Sequence, residues 1–239
     1  MIRPDMLMFN AEEAGIVVKF EKKDTPQKVN IKLFRQGPKD IRLNDTKISQ
    51  KELIGTLNTV IFCPEDLQLI KGTPSGRRRF LDMEISQTSA TYYHQLMQYN
   101  RLLQQRNAVL KEYRGKNNIP LEEWDLQLAD MASFIVKKRL ESLKKINLLI
   151  DLMNRKLTGG LENLTIGYEQ PYMDNGSLEY TKEGFYERIK AALPQDRHRL
   201  STSIGPHRDD LKFFSDAMDL KKFWIARSAT NRCIVLKVE

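Results

Sequence analysis

Three consecutive arginines, Arg77, Arg78 and Arg79, stand in the first turns of a predicted helix. Positive side chains are favoured at the other end of a helix, so this cluster lowers the stability of the start of the helix. We therefore expect the arginines to have another role. One such role is contact with phosphate or DNA, and another is ion pairing with Asp82 or Glu84. Because consecutive helical residues project about 100° apart, the three arginines cannot share one face. At least one of them is therefore expected to form a structural ion pair.

The segment around these arginines is basic and contains several tyrosines. Residues 71–115 hold eight lysines and arginines against three acidic residues, with Tyr92, Tyr93 and Tyr99 between them. Such tyrosines stack on single-stranded bases or pack in a helical core, and we favour the core. The whole chain has a net charge of +8 and an isoelectric point of 9.4, which favours polyanionic partners such as nucleic acid. The candidate DNA-binding residues are Arg77, Arg78, Arg79, Arg101 and Arg106.

A second cluster of polar residues occupies positions 203–210. It contains His207, Asp209 and Asp210, which are residue types that bind metals. One histidine with two aspartates at this spacing matches no standard metal site, so we assign no metal here. The alternative is a loop whose histidine, arginine and aspartate side chains bond to one another.

The sequence lacks the motifs of several enzyme classes. It has no G-x-x-x-x-G-K-[ST] phosphate loop, no apolar run ending in two acidic residues, no G-x-S-x-G and no cluster of Cys and His. We therefore assign no catalytic and no cofactor-binding residue. The two cysteines, Cys63 and Cys233, exclude a disulfide scaffold and favour a reducing, cytoplasmic location. No run approaches the ~18 apolar residues of a membrane helix, and the first residues lack a secretory signal, so no membrane association is expected.

The order of predicted elements indicates an α/β chain. Short runs rich in β-branched residues predict strands at 15–20, 29–34 and 41–43, a short helix at 50–56 and a buried strand at 59–62. Helical patterns follow at 74–115 and 120–157, and the second ends at Gly159 and Gly160. Further strands are predicted at 164–168, 200–204 and 211–214, with a helix at 181–193 that Pro194 closes. An apolar seam runs along the long helix through Val136, Leu140, Leu143, Ile150, Met153 and Leu157. The lysines and arginines at 137–139 and 144–145 fall largely off that seam.

Three segments of the chain resemble the RecF family, bacterial recombination mediators with an ABC/SMC-type ATPase head. The segments are residues 64–82, 102–107 and 205–211, within a match that runs from about Ile2 to Phe223. Thr73 stands where the family prefers a smaller residue. The residues that match the family motifs are Pro64, Glu65, Asp66, Gly72, Pro74, Asp82, Gly205, Pro206, His207, Arg208, Asp209 and Asp210.

The resemblance implies an incomplete ABC-ATPase-like sheet lobe with an inserted helical lobe. Residues 1–73 and 199–223 would belong to the sheet lobe, and residues 74–198 would form the helical lobe. For the intact family the resemblance implies ATP and magnesium as cofactors, an ATP-dependent dimer, and DNA as a partner, either single-stranded or gapped duplex. RecO and RecR would be protein partners in DNA replication, recombinational repair and the SOS response. These roles are expectations from the resemblance alone.

For this chain the resemblance implies less than for the intact family. Walker A, Walker B and the ABC signature are not in the sequence, so we expect no ATPase activity and no bound cofactor. One alternative is a basic, non-enzymatic helical module that binds DNA or a protein partner. Another is a truncated product without function.

Residues 224–239 depart from the family. Its signature, Gly-Ser-Gln-Gly-Gln-Gln-Arg, is expected after Phe223, where the chain instead continues from Trp224. Permitted codons for this tail, read one nucleotide later, spell the signature and continue into the helix that follows it in the family. The only codon for Trp224, TGG, obliges the shifted frame to begin with glycine. We therefore expect an out-of-frame and loosely packed tail.

Overall fold

The structure, a computed structural model, describes residues 7–22, 24–57, 68–114, 120–172 and 180–222. It divides into two compact units, residues 1–59 and residues 60–239. This division at residues 59 and 60 differs from the lobe boundary expected between residues 73 and 74, which stays a prediction. The expected strand at 59–62, the motif residues Pro64, Glu65 and Asp66, and the tail from Trp224 lie outside the described residues.

The first unit is an antiparallel meander followed by a short helix. Strands β1 (Glu13–Lys22), β2 (Thr25–Phe34), β3 (Asp40–Leu43) and β4 (Thr46–Lys47) pair in chain order, and helix α1 (Gln50–Leu53) follows. Val29, Leu33 and Ile41 are buried on the same face of this sheet. The first three strands confirm the strands predicted at 15–20, 29–34 and 41–43. Runs rich in β-branched residues are a local signal that sequence alone can supply.

The second unit combines helices with a small antiparallel sheet. Its helices are α2 (Gln68–Lys71), α3 (Pro74–Thr88), α4 (Ala90–Glu112), α5 (Glu122–Thr158), α6 (Lys182–Ala191) and α7 (Leu193–Arg199). Its strands β5 (Leu164–Glu169), β6 (Asp210–Ser215) and β7 (Met218–Asp219) pair in chain order. The core between the helices contains Leu81, Tyr92, Tyr99, Leu128, Ile135 and Phe185. Tyr92 and Tyr99 are fully buried, which confirms their core role.

Two predictions near residue 200 are wrong. Pro194 does not close a helix, because it lies in the first turn of α7, where its missing N–H costs nothing. Residues 200–204 form no strand, since their backbone bonds to side chains of neighbouring helices instead of to a sheet, as described below.

The apolar seam of α5 is buried only along its first half. Val136 and Leu143 are at most 4% exposed, whereas Met153 and Leu157 are 64% and 86% exposed. Arg139 was expected off the seam but is 2% exposed. It lies three residues after Val136 and four before Leu143, a spacing that places it on the buried face.

Candidate functional site

The two polar clusters of the sequence meet in one buried network. At its centre is the segment that leads from α7 into the first residue of β6, residues 202–210, which we call the anchored loop. Arg77, on α3, donates from Nε to Oδ1 and from Nη2 to Oδ2 of Asp210, both at 2.7 Å. Its remaining nitrogen, Nη1, donates to the carbonyl of Gly72 at 2.9 Å. A guanidinium and a carboxylate matched in this way fix the direction of both side chains.

Arg78, one residue further along α3, contacts the neighbouring position of the anchored loop. Its Nη1 donates to the backbone carbonyl of Asp209 at 2.6 Å. The residue is half-buried, so part of it remains in contact with solvent. Two consecutive arginines on α3 thus contact the two consecutive aspartates at the start of β6.

Arg139 on α5 contacts both the anchored loop and α3. Its Nε and Nη2 each donate to the carboxylate of Asp82 at 3.0 Å, and its Nη1 donates to the carbonyl of Pro206 at 2.7 Å. The hydroxyl of Tyr92 also donates to Asp82, at 2.5 Å. Burial alone would lower the pKa of Arg139, but Tyr168, Asp82 and the other groups around it raise that pKa well above its ordinary value. Arg139 therefore stays a buried cation.

Asp209 is fully buried and accepts hydrogen bonds from two tyrosines. Tyr168 donates to Oδ2, and Tyr172 donates to Oδ1 at 2.6 Å. Arg139 Nη1 lies 3.6 Å from the same carboxylate. Burial raises the pKa of Asp209, while Arg139 and the tyrosine donors oppose that rise. These contacts occupy the oxygens that a metal ion would need.

His207 forms the part of the anchored loop that packs against α4. Its Nε2 lies 3.0 Å from the carbonyl of Thr202, so this nitrogen carries the proton, because a carbonyl can only accept. Nδ1 of the neutral ring then accepts from the hydroxyl of Tyr99 at 2.6 Å. Burial lowers the pKa of His207 to about 4, which keeps the ring neutral. Gly205 permits this approach, since a Cβ there would lie 2.4 Å from the Tyr99 hydroxyl oxygen.

Arg106 anchors the beginning of the loop from α4. It is completely buried and donates to Asp125 at 2.6 Å, to Asp196 at 2.7 Å and to the hydroxyl of Thr202 at 2.9 Å. Asn107 accepts from both the backbone N–H and the hydroxyl of Thr202 at 2.8 Å. Asp196 of α7 also accepts from the backbone N–H of Ser203 at 2.8 Å. The loop is therefore bound to α3, α4, α5 and α7 at once.

Comparisons with known proteins find similarity to RecF proteins over most of the chain. No protein-family model matches the chain. The DNA replication and repair protein RecF of Clostridium botulinum strain Eklund 17B is 41% identical over 220 residues, which are 92% of this chain and 60% of the relative. The RecF of Alkaliphilus oremlandii is 38% identical over 222 residues, again 92% of this chain and 60% of the relative. The chain is similar to these RecF proteins over this length.

Solved structures of RecF have the same fold. A structure of the recombination mediator protein RecF with ATPrS matches 91% of this chain with a TM-score of 0.82 and 30% sequence identity, over 60% of its own length. A structure with ATP gives the same TM-score and identity. The predicted α/β, partial ABC-ATPase-like fold is thus confirmed. The chain spans about 60% of the length of the RecF proteins that it matches.

The three segments that resemble RecF converge on the anchored loop. Arg77 and Asp82 come from the first segment, Arg106 from the second, and the residues from Gly205 to Asp210 form the third. Gly72 and Pro74 also belong to this arrangement, because Gly72 accepts from Arg77 and Pro74 opens α3. The RecF resemblance is therefore carried by residues that hold the second unit together.

The structure corrects two of the candidate DNA contacts. Arg77 is 2% exposed and Arg106 is 0% exposed, so neither side chain lies on a surface that DNA could reach. Arg77 forms the expected structural ion pair, but with Asp210 and not with Asp82 or Glu84. Arg79 and Arg101 are exposed and Arg78 is half-buried, so these three remain candidates.

Sequence reasoning assigned no role to several residues of the network: Arg139, Tyr168, Tyr172, Asp196 and Thr202. Arg139 had a usable signal, because a lone cation at seam spacing on an amphipathic helix needs a buried acidic partner. The two tyrosines and Thr202 had no such signal, since nothing local distinguishes them from other surface or core residues.

The metal interpretation of residues 203–210 finds no support in the contacts. His207 and Asp209 direct their polar atoms toward Tyr99, Thr202, Tyr168 and Tyr172. Within the described ranges no group of three or more His, Cys, Asp or Glu side chains is arranged to hold a metal ion. The alternative, a loop whose histidine, arginine and aspartate side chains bond to one another, does not describe the observed contacts either: His207 and Arg208 both contact the carbonyl of Thr202. Asp209 accepts from tyrosines outside the loop. Across those same ranges, no helix is long and apolar enough to cross a membrane.

Proposed function

We propose that this chain is the helical part, with a portion of the sheet lobe, of a RecF-type recombination mediator that binds DNA in replication and repair. The observation that carries the proposal is the convergence of the three RecF segments on the anchored loop. The Arg77–Asp210 pair joins the first segment to the third across 133 residues of the chain. Arg106 joins the second segment to the anchored loop through Thr202, across 96 residues. A chance similarity of short motifs would not be expected to assemble such a buried network.

The basic residues that remain on the surface supply the attraction for DNA. Arg79 and Arg101 are exposed, and Lys137 and Lys144 on α5 are exposed as well. Such side chains neutralise phosphates without reading base sequence, so the proposed binding is non-specific and sensitive to salt. Single-stranded or gapped duplex DNA is the proposed substrate, by analogy with the relatives' role in repair.

The nucleotide chemistry of the relatives is proposed only for an intact RecF-type protein. The solved relatives carry ATP and ATPrS, and magnesium would accompany ATP there. The sequence of this chain contains no Walker A, Walker B or signature motif, so we propose that it neither binds ATP tightly nor hydrolyses it. RecO and RecR are the proposed protein partners, and the cytoplasmic location stays a prediction.

DNA binding can be measured by fluorescence anisotropy with labelled single-stranded and gapped DNA. We expect weak binding whose logarithmic affinity falls with the logarithm of salt, with about −0.9 per neutralised phosphate on duplex DNA. Changing Arg79 and Arg101 to Ala should reduce both the affinity and the salt slope. The matched control is Lys182→Ala, which removes an exposed cation outside residues 71–145. Binding that does not depend on salt, or no binding at low salt, would contradict the proposal.

Nucleotide binding separates this proposal from a chain with its own ATPase activity. Calorimetry with ATP and magnesium should detect no micromolar binding, and turnover should stay at the level of buffer. Micromolar, magnesium-dependent binding would contradict the proposal. The non-enzymatic alternative is a helical module that binds a protein partner. In that case the variant with Arg79 and Arg101 changed to Ala would lose DNA binding but keep partner binding.

A further inference from the structure

The second half of α5 leaves apolar side chains in solvent. Leu148, Leu149, Leu152, Met153 and Leu157 are between 57% and 86% exposed, and we call them the α5 leucine face. Together they expose roughly 600 Å² of apolar surface, which is at the upper end for the largest patch on a monomer. Patches of this size that polar residues surround are typical of interaction sites.

Two lysines bracket the centre of this face. Lys145, Leu149, Leu152 and Lys156 follow one another at spacings of four, three and four residues, so they lie along one line of the helix. All four are exposed. Neither lysine lies within salt-bridge distance of an acidic side chain in the part of the chain that the structure describes. The two leucines are therefore bracketed by positive charges about 16 Å apart along the axis.

The spacing of these lysines disfavours a second copy of the chain as the occupant. In an antiparallel pair that places Leu149 of each copy against Leu152 of the other, Lys145 of each copy faces Lys156 of the other. In a parallel pair each lysine faces its own equivalent. Both arrangements oppose like charges at both ends of the apolar contact, which is destabilising.

A groove beside the face provides room for an anchoring side chain. It lies between α5 and β5, has a volume of about 490 Å³, and is lined by Leu140, Leu143, Ile166 and Tyr168. Leu148 belongs to both the groove and the leucine face. An amphipathic helix that docks on such a surface inserts apolar residues at spacings of three, four and seven.

We propose that the α5 leucine face binds an amphipathic helix of a partner protein, with acidic residues at both ends of that helix's apolar stripe. The leucines supply the apolar contact, and Lys145 and Lys156 select the partner by charge. The site requires neither DNA nor nucleotide, so it stands apart from the proposed DNA binding. Its failure would leave the DNA-binding proposal untouched.

A synthetic peptide tests this directly. The probe is a fluorescent helical peptide of about 20 residues, with leucines at spacings of three and four and glutamates at both ends of the stripe. A matched peptide carries lysines in place of the glutamates. With the full 239-residue chain, we expect the acidic peptide to bind at least about tenfold more tightly than the basic one, and more weakly at high salt.

Variants on the face give the decisive comparison. Leu149→Gln with Leu152→Gln should weaken binding of the acidic peptide by about tenfold or more, since both leucines lose their apolar contact. Lys145→Glu with Lys156→Glu should reverse the preference toward the basic peptide. The control is Leu126→Gln, which removes a leucine that is 38% exposed on the first half of α5. All of these positions are exposed, and equal thermal melting of the variants and the parent would show that the fold is intact.

Several outcomes would overturn the proposal. These are no peptide binding, equal binding of the two peptides, and binding that the leucine variant leaves unchanged. A dimer in sedimentation that Leu152→Gln abolishes would assign the face to a second copy instead. Binding of phosphatidylglycerol vesicles without binding of the acidic peptide would assign it to a lipid surface.

Discussion

Arg77 and Asp210 are 133 residues apart in the chain, yet two nitrogens of Arg77 each lie 2.7 Å from an oxygen of Asp210. The pair joins the first turn of α3 to the first residue of β6. Because Arg77 is 2% exposed, water cannot replace Asp210 as its partner. This contact fixes the position of α3 against β6.

Asp210→Ala should lower the free energy of unfolding by about 3–5 kcal/mol, because it leaves a buried guanidinium without its carboxylate. Denaturation in urea measures the loss. Replacing both partners, Arg77→Met with Asp210→Leu, should recover a large part of it, since no unpaired charge then remains. Glu141→Ala, which breaks the exposed pair with Lys138, is the control and should change stability little. A similar effect for Asp210→Ala and Glu141→Ala would contradict the structural role.

Gly205→Ala should be strongly destabilising for two reasons. Its φ of +131° is a conformation that L-residues rarely adopt, and the new Cβ would lie 2.4 Å from the Tyr99 hydroxyl oxygen. Tyr99→Phe removes that oxygen. Alone it should cost about 1 kcal/mol or more, because His207 loses a donor. In the Gly205→Ala background it should cost less or even stabilise, and a double-mutant cycle by denaturation would show this coupling. Simple additivity would count against the close approach.

His207 should make the stability of the chain depend on pH in a defined window. Burial lowers its pKa from 6.5 to about 4, and the nearby Arg208, Arg78 and Arg139 act in the same direction. Between these values the unfolded chain binds more protons at this residue than the folded chain. The contribution of His207 is therefore complete above pH 6.5 and is lost as the pH falls toward 4.

The comparison of the parent with His207→Gln isolates that contribution. Asp209 and Asp125, whose pKa values burial raises, act with the opposite sign in acid and are present in both proteins. The parent's advantage over the variant should shrink as the pH falls below 6.5, by up to about 1.4 kcal/mol per pH unit. Urea denaturation at several pH values measures it. A constant difference from pH 4 to 8 would show that His207 does not titrate in this way.

Asn147 should protect the edge of β5 that faces away from β6. Its side-chain amide accepts from the N–H of Ile166 at 2.8 Å and donates to the carbonyl of Ile166 at 2.9 Å. Asn147→Leu leaves both backbone groups without these partners, so we expect a loss of about 1–3 kcal/mol and faster hydrogen exchange at Ile166. Asn154→Leu is the matched control, because Asn154 makes only one such bond, to the carbonyl of Glu162 at a more exposed position. Equal exchange rates at Ile166 in the parent and Asn147→Leu would contradict this role.

Much of the secondary structure could be predicted from local patterns. Runs rich in β-branched residues predicted β1 and β2, and alternation of apolar and polar residues predicted β3. Helical patterns predicted the stretches 74–115 and 120–157, but not the break at Ser89 that divides the first of them into α3 and α4. Gly159, at a φ of +66°, ends α5 as expected. The failures occurred where a local signal is ambiguous. Pro194 is compatible with the end of one helix and with the first turn of the next, and only the structure shows which applies.

The sequence by itself determined that residues 71–115 are basic, and the tertiary structure decided which of their arginines are buried and which face solvent. Arg77, Arg79, Arg101 and Arg106 look alike as basic residues in a basic segment, but two are buried in ion pairs and two face solvent. A side chain's exposure depends on which distant segments pack against it, and neither composition nor spacing records that. For Arg77 the deciding partner is Asp210, which only the fold brings within hydrogen-bonding distance.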